Sequence, residues 1–405
     1  MPKGAKTRGK EPTVLTTAQM AQFDEYRRDW NKATVELGRI IDADSAGVIL
    51  PLKFRIEQQS FFDTIQRVRA INIYLSLRWF YEDWEDKLLT VLGMLELPSK
   101  PSELIESIFK NRPENILITL KEDMHLALVT DSPVLIIVGK PRQIGISTTI
   151  EWLELLFLLF HPNSKALVMS LDDDSSENVL DLLVTMIENW PEDKVYMKPE
   201  LDRNSGDYIK LKNGSEAIVK TAEGTQVRSF KQDFFHFTEM AHYKNAEKVG
   251  AALAAVRRHA WIFIESTANG PTGAFYHRYK QANFISDLYS KLDDGKTIPD
   301  RAFIKWFAPW IDHVPYTARV APDEEDEILS TLNEYEQMML DRYTTKVTLG
   351  KIKWRREKIT NECADQKTLT PEQFFMQEYP LDEDEMFQQK ASAVFAIDDL
   401  NRLSI

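Results

Sequence analysis

Between Pro133 and Phe307 short apolar runs alternate with longer stretches of helical periodicity, and no other feature restricts the fold of this chain as much. Val134-Leu-Ile-Ile-Val138 reads as a fully buried strand, followed by a short loop and a long apolar helix over residues 148–160. Residues 165–170 form a second strand and residues 177–190 a second helix. Residues 208–211 and 216–220 flank Asn213-Gly214, a strong hairpin signal. Residues 234–237 and 261–265 are two further buried strands with a helix between them, and residues 302–307 are a candidate for one more. The alternation predicts an α/β fold with a mainly parallel sheet and helices on both faces. Such sheets bind ligands at the carboxyl ends of their strands.

The flanks differ. Residues 1–115 read as helical: Thr16 is a capping residue, and residues 61–92 carry apolar side chains at helical spacing until Gly93. Pro101 with Ser102, and Asn111-Arg-Pro113, mark boundaries. At 405 residues the chain exceeds what one core usually holds. We therefore expect a helical N-terminal region (1–115), a central α/β core (116–300) and a subdomain with a linker (301–405). A composition 43% apolar and 28% charged suits a packed globular protein and excludes a disordered or fibrous one. The single cysteine, Cys363, excludes a disulfide framework and a four-cysteine zinc site, and reads as an ordinary thiol in a reducing cytosol. The longest apolar run, residues 152–160, is broken by Glu154 and too short to cross a bilayer, so no membrane association is expected. Lys3, Lys6, Arg8 and Lys10 lead into no apolar stretch, which makes a solvated tail rather than a secretory signal. A net charge of −13 argues against coating nucleic acid over the whole surface but leaves room for a local basic track. Residues 346–358 carry a basic cluster, by default a solvated helix face, alternatively a phosphate-backbone contact. The acidic run at residues 323–326 reads as a solvated helix start.

Three segments carry candidate chemistry, each at a strand's carboxyl end. The loop after the first strand reads Lys140-Pro141-Arg142-Gln143-Ile144-Gly145-Ile146-Ser147-Thr148. Against the phosphate-loop pattern, Gly145 is the second glycine and Ser147 the hydroxyl. Ile146 stands at the lysine position and Lys140 at the first glycine position. Phosphate binding needs backbone N–H groups, a helix N-terminus, a cation and a magnesium-side hydroxyl, and all are supplied with the cation relocated. A plain strand-to-helix turn is the competing reading. The second segment, Asp233-Phe-Phe-His-Phe-Thr238-Glu239, ends an apolar strand in a polar pair. Glu239 fits the residue that orients or deprotonates an attacking water, and Thr238 occupies the place of a metal-binding aspartate. The third, Glu265-Ser266-Thr267-Ala268-Asn269-Gly270, offers small hydroxyl and amide groups that can sense a γ-phosphate, or simply a turn.

Together these segments, with Phe275-Tyr276, resemble the large terminase subunit of tailed bacteriophages, the ATP-driven motor that packages DNA into a procapsid. The resemblance is tight over residues 134–279. It continues loosely through 306–310 and 374–387, which resemble the stretch linking motor to nuclease, and residues 1–115 show none. It implies a P-loop fold of the ASCE type that binds ATP and Mg2+. Residues 140–148 match the phosphate loop in its variant with the lysine moved forward, Glu239 the catalytic glutamate, and Ser266, Thr267, Ala268 and Asn269 the motif that couples hydrolysis to movement. Ser147 and Thr238 fall on the metal side, Thr238 departing from the usual aspartate. Arg228, eleven residues before Glu239, matches an arginine that completes a neighbouring subunit's site, with a surface salt bridge as the alternative. The implied partners are double-stranded DNA, a portal protein and a small terminase subunit, in a ring during packaging or a monomer in isolation, in the host cytoplasm. The family's nuclease domain would begin where this chain stops, at Ile405, so no nuclease activity is expected from it, and the acids at 382–385 read as a solvated loop. Residues 1–115 would brace the motor or dock the small subunit. Rival readings are another DNA-dependent motor of the helicase kind, a nucleotide-binding structural protein without turnover, and a nuclease with an unrecognised site.

Overall fold

The computed structural model describes residues 15–41, 49–124, 133–222, 231–245, 247–254, 256–257, 259–299, 302–365 and 369–387. The four basic residues of the N-terminal tail and Arg228 lie outside them. Eight strands form the main sheet: β1 (Val134–Gly139), β2 (Lys165–Ser170), β3 (Leu201–Ser205), β4 (Tyr208–Leu211), β5 (Glu216–Thr221), β6 (Phe234–Thr238), β7 (Trp261–Ser266) and β8 (Ile304–Phe307). Their spatial order is β8-β1-β7-β6-β2-β5-β4-β3. Pairing is parallel from β8 through β5, and β4 and β3 add an antiparallel edge. The fold is therefore the mainly parallel P-loop type anticipated, with β7 inserted between the loop strand β1 and the acid-bearing strand β6. The hairpin at Asn213-Gly214 forms, Gly214 taking φ +87°, which L-residues avoid. The edge strand β3 was not foreseen, because Leu-Asp-Arg-Asn-Ser has no apolar alternation and its three middle residues are exposed.

Both faces of the central strands are covered, which explains their unbroken apolar character. In β1, Val134, Ile136 and Val138 enter one apolar cluster while Leu135 and Ile137 enter the other. The first cluster takes in helices α1 (Thr17–Arg28), α2 (Trp30–Leu37), α3 (Ile56–Phe80), α4 (Trp84–Leu92), α5 (Pro101–Lys110) and α6 (Pro113–Met124). Thr16 caps α1 in a reciprocal box with Gln19. These helices pack directly on the sheet: Trp30 lies 5.3 Å from Trp261, and Phe61 5.3 Å from Trp306, between ring centroids. Beside them on the same face runs α7 (Ile146–Phe160), buried from Thr149 onward, which is why it is almost wholly apolar. Helix α8 (Asp173–Glu188), capped by Asp172, follows β2. The opposite face is covered by α9 (Glu247–Ala254) and α10 (Gly273–Gln281), and α11 (Ile285–Asp293) meets α5 where Ser102 bonds Asp293. No helix among the described residues is long and apolar enough to cross a membrane.

The C-terminal part contains α12 (Pro322–Ser330), α13 (Glu334–Arg342), α14 (Leu349–Glu362), α15 (Pro371–Glu378) and α16 (Glu383–Met386). Much of its basic cluster is engaged in ion pairs, and Lys351 and Arg355 are buried. Lys346 pairs with Asp312, Lys353 with Glu324, Arg355 and Arg356 with Glu336, and Lys358 with Glu362. The acids at 382–385 likewise dock rather than float: Asp382 caps α16, Glu383 bonds Tyr279 and Lys305, and Glu385 bonds Tyr335. Glu383 and Glu385 thus find partners on neighbouring elements, and Met386 and Phe387 anchor the segment in the second apolar cluster.

Candidate active site

Parallel pairing brings the ends of β1, β7 and β6 to one edge, so residues far apart in sequence meet there. Val138 is registered with Glu265, Gly139 with Ser266, and Thr238 with Glu265. Beyond Gly139 the chain makes the 140–145 loop, with Gln143 at φ +56° and Gly145 at φ +76°, and α7 begins at Ile146. The loop's backbone thus turns at the N-terminus of a 15-residue helix, the geometry that favours anions.

Lys140 is buried, and its Nζ lies 3.0 Å from Glu239 Oε1 and 2.9 Å from Glu265 Oε2. Burial works against its charge, but the two carboxylates outweigh it and hold the ammonium protonated well above the ordinary lysine range. Glu265 is wholly buried. Burial pushes its carboxyl up, yet Lys140, His236 and Ser147 together hold it far below the usual carboxylate range. Ser147 Oγ donates to Glu265 Oε1 at 2.7 Å. His236, on the α7 face of β6, lies between Glu265 and Glu151 of α7, and these two carboxylates raise its pKa to about 9 against the effect of burial. Burial raises Glu151 and, more strongly, Glu154.

Glu239 directly follows β6 with φ +55°, a left-handed conformation that costs an L-residue about 1 kcal/mol. Such strain concentrates where a side chain must be aimed. The segment after β7 holds it there. Ser266 Oγ and the Thr267 N–H both donate to Glu239 Oε2, at 3.3 and 3.2 Å. Ser266 Oγ accepts from the Ala241 N–H at 3.1 Å, Thr267 Oγ1 is 3.2 Å from His242 Nε2, and Asn269 donates to the Ala241 carbonyl at 3.3 Å. Ala268 is buried beneath.

Of the sequence candidates, the structure brings together Lys140, Ser147, Thr238, Glu239, Ser266 and Thr267. Arg142 turns outward instead. Its Nε pairs with the buried Glu378 of α15, its N–H donates to the Glu378 carbonyl at 3.1 Å, and its own carbonyl accepts from Tyr316 Oη. Pro141 and Ile144 are buried in the loop, while Gln143 is exposed. Sequence reasoning missed Glu265 as a site residue, although it was quoted in its motif. It also missed Gln58 of α3, whose Nε2 donates to the Gly145 carbonyl at 2.8 Å. An acid inside an apolar strand was the available signal for Glu265; for Gln58 there was none. Among the described residues no group of three or more His, Cys, Asp or Glu side chains is arranged to hold a metal by itself. A metal at this edge would need ligands from a bound phosphate and water.

No protein-family model and no curated protein matches the chain. Among solved structures, it is similar to the large terminase ATPase domain of Thermus phage P74-26, with 19% identity and a TM-score of 0.33 over 51% of this chain and 85% of that one. It is also similar to the large terminase of a thermophilic bacteriophage in complex with ADP, with 12% identity and a TM-score of 0.34 over 55% of this chain and 50% of that one. The HK97 bacteriophage large terminase gives 12% identity and a TM-score of 0.36 over 63% and 53%. The match spans about half the length of the latter two proteins. The functional reading rests on the geometry of the site.

Proposed function

We propose that this chain is an ATP-hydrolysing motor of the large terminase kind, moving double-stranded DNA into a procapsid. The observation that carries the reading is the meeting of Lys140 and Glu239, at the ends of parallel strands β1 and β6 on either side of β7, with Ser147 at the N-terminus of α7. Residues 140–148 cradle the phosphates of ATP through backbone N–H groups, and Lys140 supplies the cation. Glu239 orients a water in line with the γ-phosphorus and accepts its proton. The water oxygen bonds to phosphorus as the bond to the ADP oxygen breaks, ADP leaving with the electron pair. Mg2+ suits the donor chemistry, since Ser147 and Thr238 offer hydroxyl oxygens next to a buried carboxylate. When bound it would neutralise charge developing on the phosphates. The contacts from Ser266, Thr267 and Asn269 to the turn at 239–242 give a route by which loss of the γ-phosphate moves the segment after β7.

Arg228 from a neighbouring subunit completes the charge balance in a ring on a portal protein, assembled with a small terminase subunit in the host cytoplasm. These partners rest on the motif resemblance. The helices of residues 1–115 act as a brace for the motor, supported by the Gln58 contact to the loop. The test is steady-state phosphate release from Mg-ATP, with and without linear double-stranded DNA, for the native chain and Glu239→Ala. Turnover stimulated by DNA and reduced at least ~100-fold by the substitution is expected. Turnover indifferent to Glu239→Ala would refute the site assignment.

A further inference from the structure

A phosphate-loop hydrolase that uses magnesium places a carboxylate near the loop hydroxyl, and position 238, where β6 would deliver it, holds threonine. We propose that Glu265, at the end of the neighbouring strand β7, is the metal-side acid of this site. The inference rests on the ATPase reading above and names a residue for one of its parts.

Three observations carry it. The first is contact: Ser147 Oγ donates to Glu265 Oε1 at 2.7 Å, so the one loop hydroxyl on the metal side is already tied to this carboxylate. The second is register. Thr238 and Glu265 are direct partners across the β6–β7 pair, and neighbouring strands lie about 4.8 Å apart. A carboxylate moved from 238 to 265 therefore shifts by a single strand spacing. Because β7 lies between β6 and the loop strand β1, that shift brings it nearer to Ser147. The third is the setting behind it. Glu265 is fully buried, where an isolated carboxylate is expensive, and His236, backed by Glu151, lies 3.4 Å from Oε1, the oxygen that accepts from Ser147. An acid bonded by a serine and a lysine, with a histidine and a second carboxylate behind it, is arranged as metal-site acids are, with the supporting groups setting where its oxygens point. A bare counter-ion for Lys140 would need none of this, because Glu239 already faces that ammonium at 3.0 Å.

The test is nucleotide affinity measured with a fluorescent ADP analogue, with and without Mg2+, for the native chain, Glu265→Gln and Thr238→Ala. The ratio of the two affinities is the readout, and it is independent of turnover. Glu265→Gln should reduce the Mg2+ enhancement about 10- to 100-fold. Its complex with nucleotide should also withdraw correspondingly less Mn2+ from solution, read from the free-ion electron paramagnetic resonance signal. Full enhancement in Glu265→Gln overturns the proposal, as does a larger loss in Thr238→Ala. If circular dichroism shows Glu265→Gln unfolded, Glu265→Asp decides. It keeps the charge facing Lys140 and His236 but withdraws the oxygens from Ser147, and retained enhancement would overturn the proposal equally. A native chain that binds no nucleotide at all would instead refute the ATPase reading, so the two failures are distinct.

Discussion

The contact between Gln58 and Gly145 makes a quantitative prediction about how the N-terminal helices support the phosphate loop. Gly145 has φ +76°, and a Cβ built there would lie 2.5 Å from Gln58 Nε2. Gly145→Ala therefore meets two costs: about 1 kcal/mol for an L-residue in the left-handed region, and about 1 kcal/mol for the hydrogen bond lost as Gln58 is pushed aside. Gln58→Ala alone costs about 1 kcal/mol, at the low end because the Gly145 carbonyl still accepts from the Thr149 N–H and hydroxyl. In the double variant the hydrogen bond is lost only once. The combined cost should be about 2 kcal/mol rather than about 3, a coupling of about 1 kcal/mol. Urea unfolding of the four proteins, followed by tryptophan fluorescence, measures it. Additivity within about 0.4 kcal/mol would mean that Gln58 does not brace the loop, and the supporting role given to residues 1–115 would fall with it.

Three further outcomes follow from the same geometry. Arg142→Ala leaves the Glu378 carboxylate buried without its guanidinium and should destabilise the chain by about 2 kcal/mol, a loss that Glu378→Gln in the same background partly restores; no restoration in urea unfolding would deny the pair. Lys351 donates to the His313 and Tyr316 carbonyls, and burial lowers its pKa to about 8. The unfolded chain thus binds the extra proton between about pH 8 and 10.5, so this residue's contribution to stability should rise across that window. Lys351→Met should abolish that rise relative to the native chain, and equal slopes in the two would refute it. Ser266→Ala removes two contacts to the 239–242 turn, and should lower DNA-stimulated turnover more than the DNA-independent rate; equal loss in both would argue against a coupling role.

The parallel strands were legible because both their faces are covered, leaving unbroken apolar runs that no surface segment produces. Lys140, Ser147 and Glu239 were legible because each ends or follows such a run. What sequence did not reveal is partnership across the sheet and between layers. Arg142 looked like a phosphate ligand, since nothing local announces Glu378, 236 residues away, as its partner. The pairing of Lys353, Arg355 and Arg356 was hidden because their acids, Glu324 and Glu336, lie on other elements. Glu154 looked like a break in an apolar run, whereas it is buried together with Glu151, which bonds His236. In each case the residue type was visible and the pairing was a matter of register.

The same reasoning explains how a site can keep its chemistry while its residues depart from the expected pattern. At the carboxyl edge of a parallel sheet, strand ends lie about 4.8 Å apart, and a lysine or glutamate side chain is longer than that. A functional group can therefore move to the adjacent strand, or to the other end of a loop, and still reach the same point. Lys140 does so along the loop, standing six residues before Ile146, and Glu265 does so across the sheet, one strand from Thr238. Relocation carries a physical condition, because a carboxylate moved to a central strand is more deeply buried and must bring compensating charge. His236 and Lys140, both within salt-bridge distance of Glu265, meet it. A chain with a threonine at 238 and an apolar residue at 265 would lack the acid altogether, and its histidine at 236 would have no carboxylate to face on that side. The concurrence of Thr238, Glu265 and His236 in one chain is what a displaced acid requires.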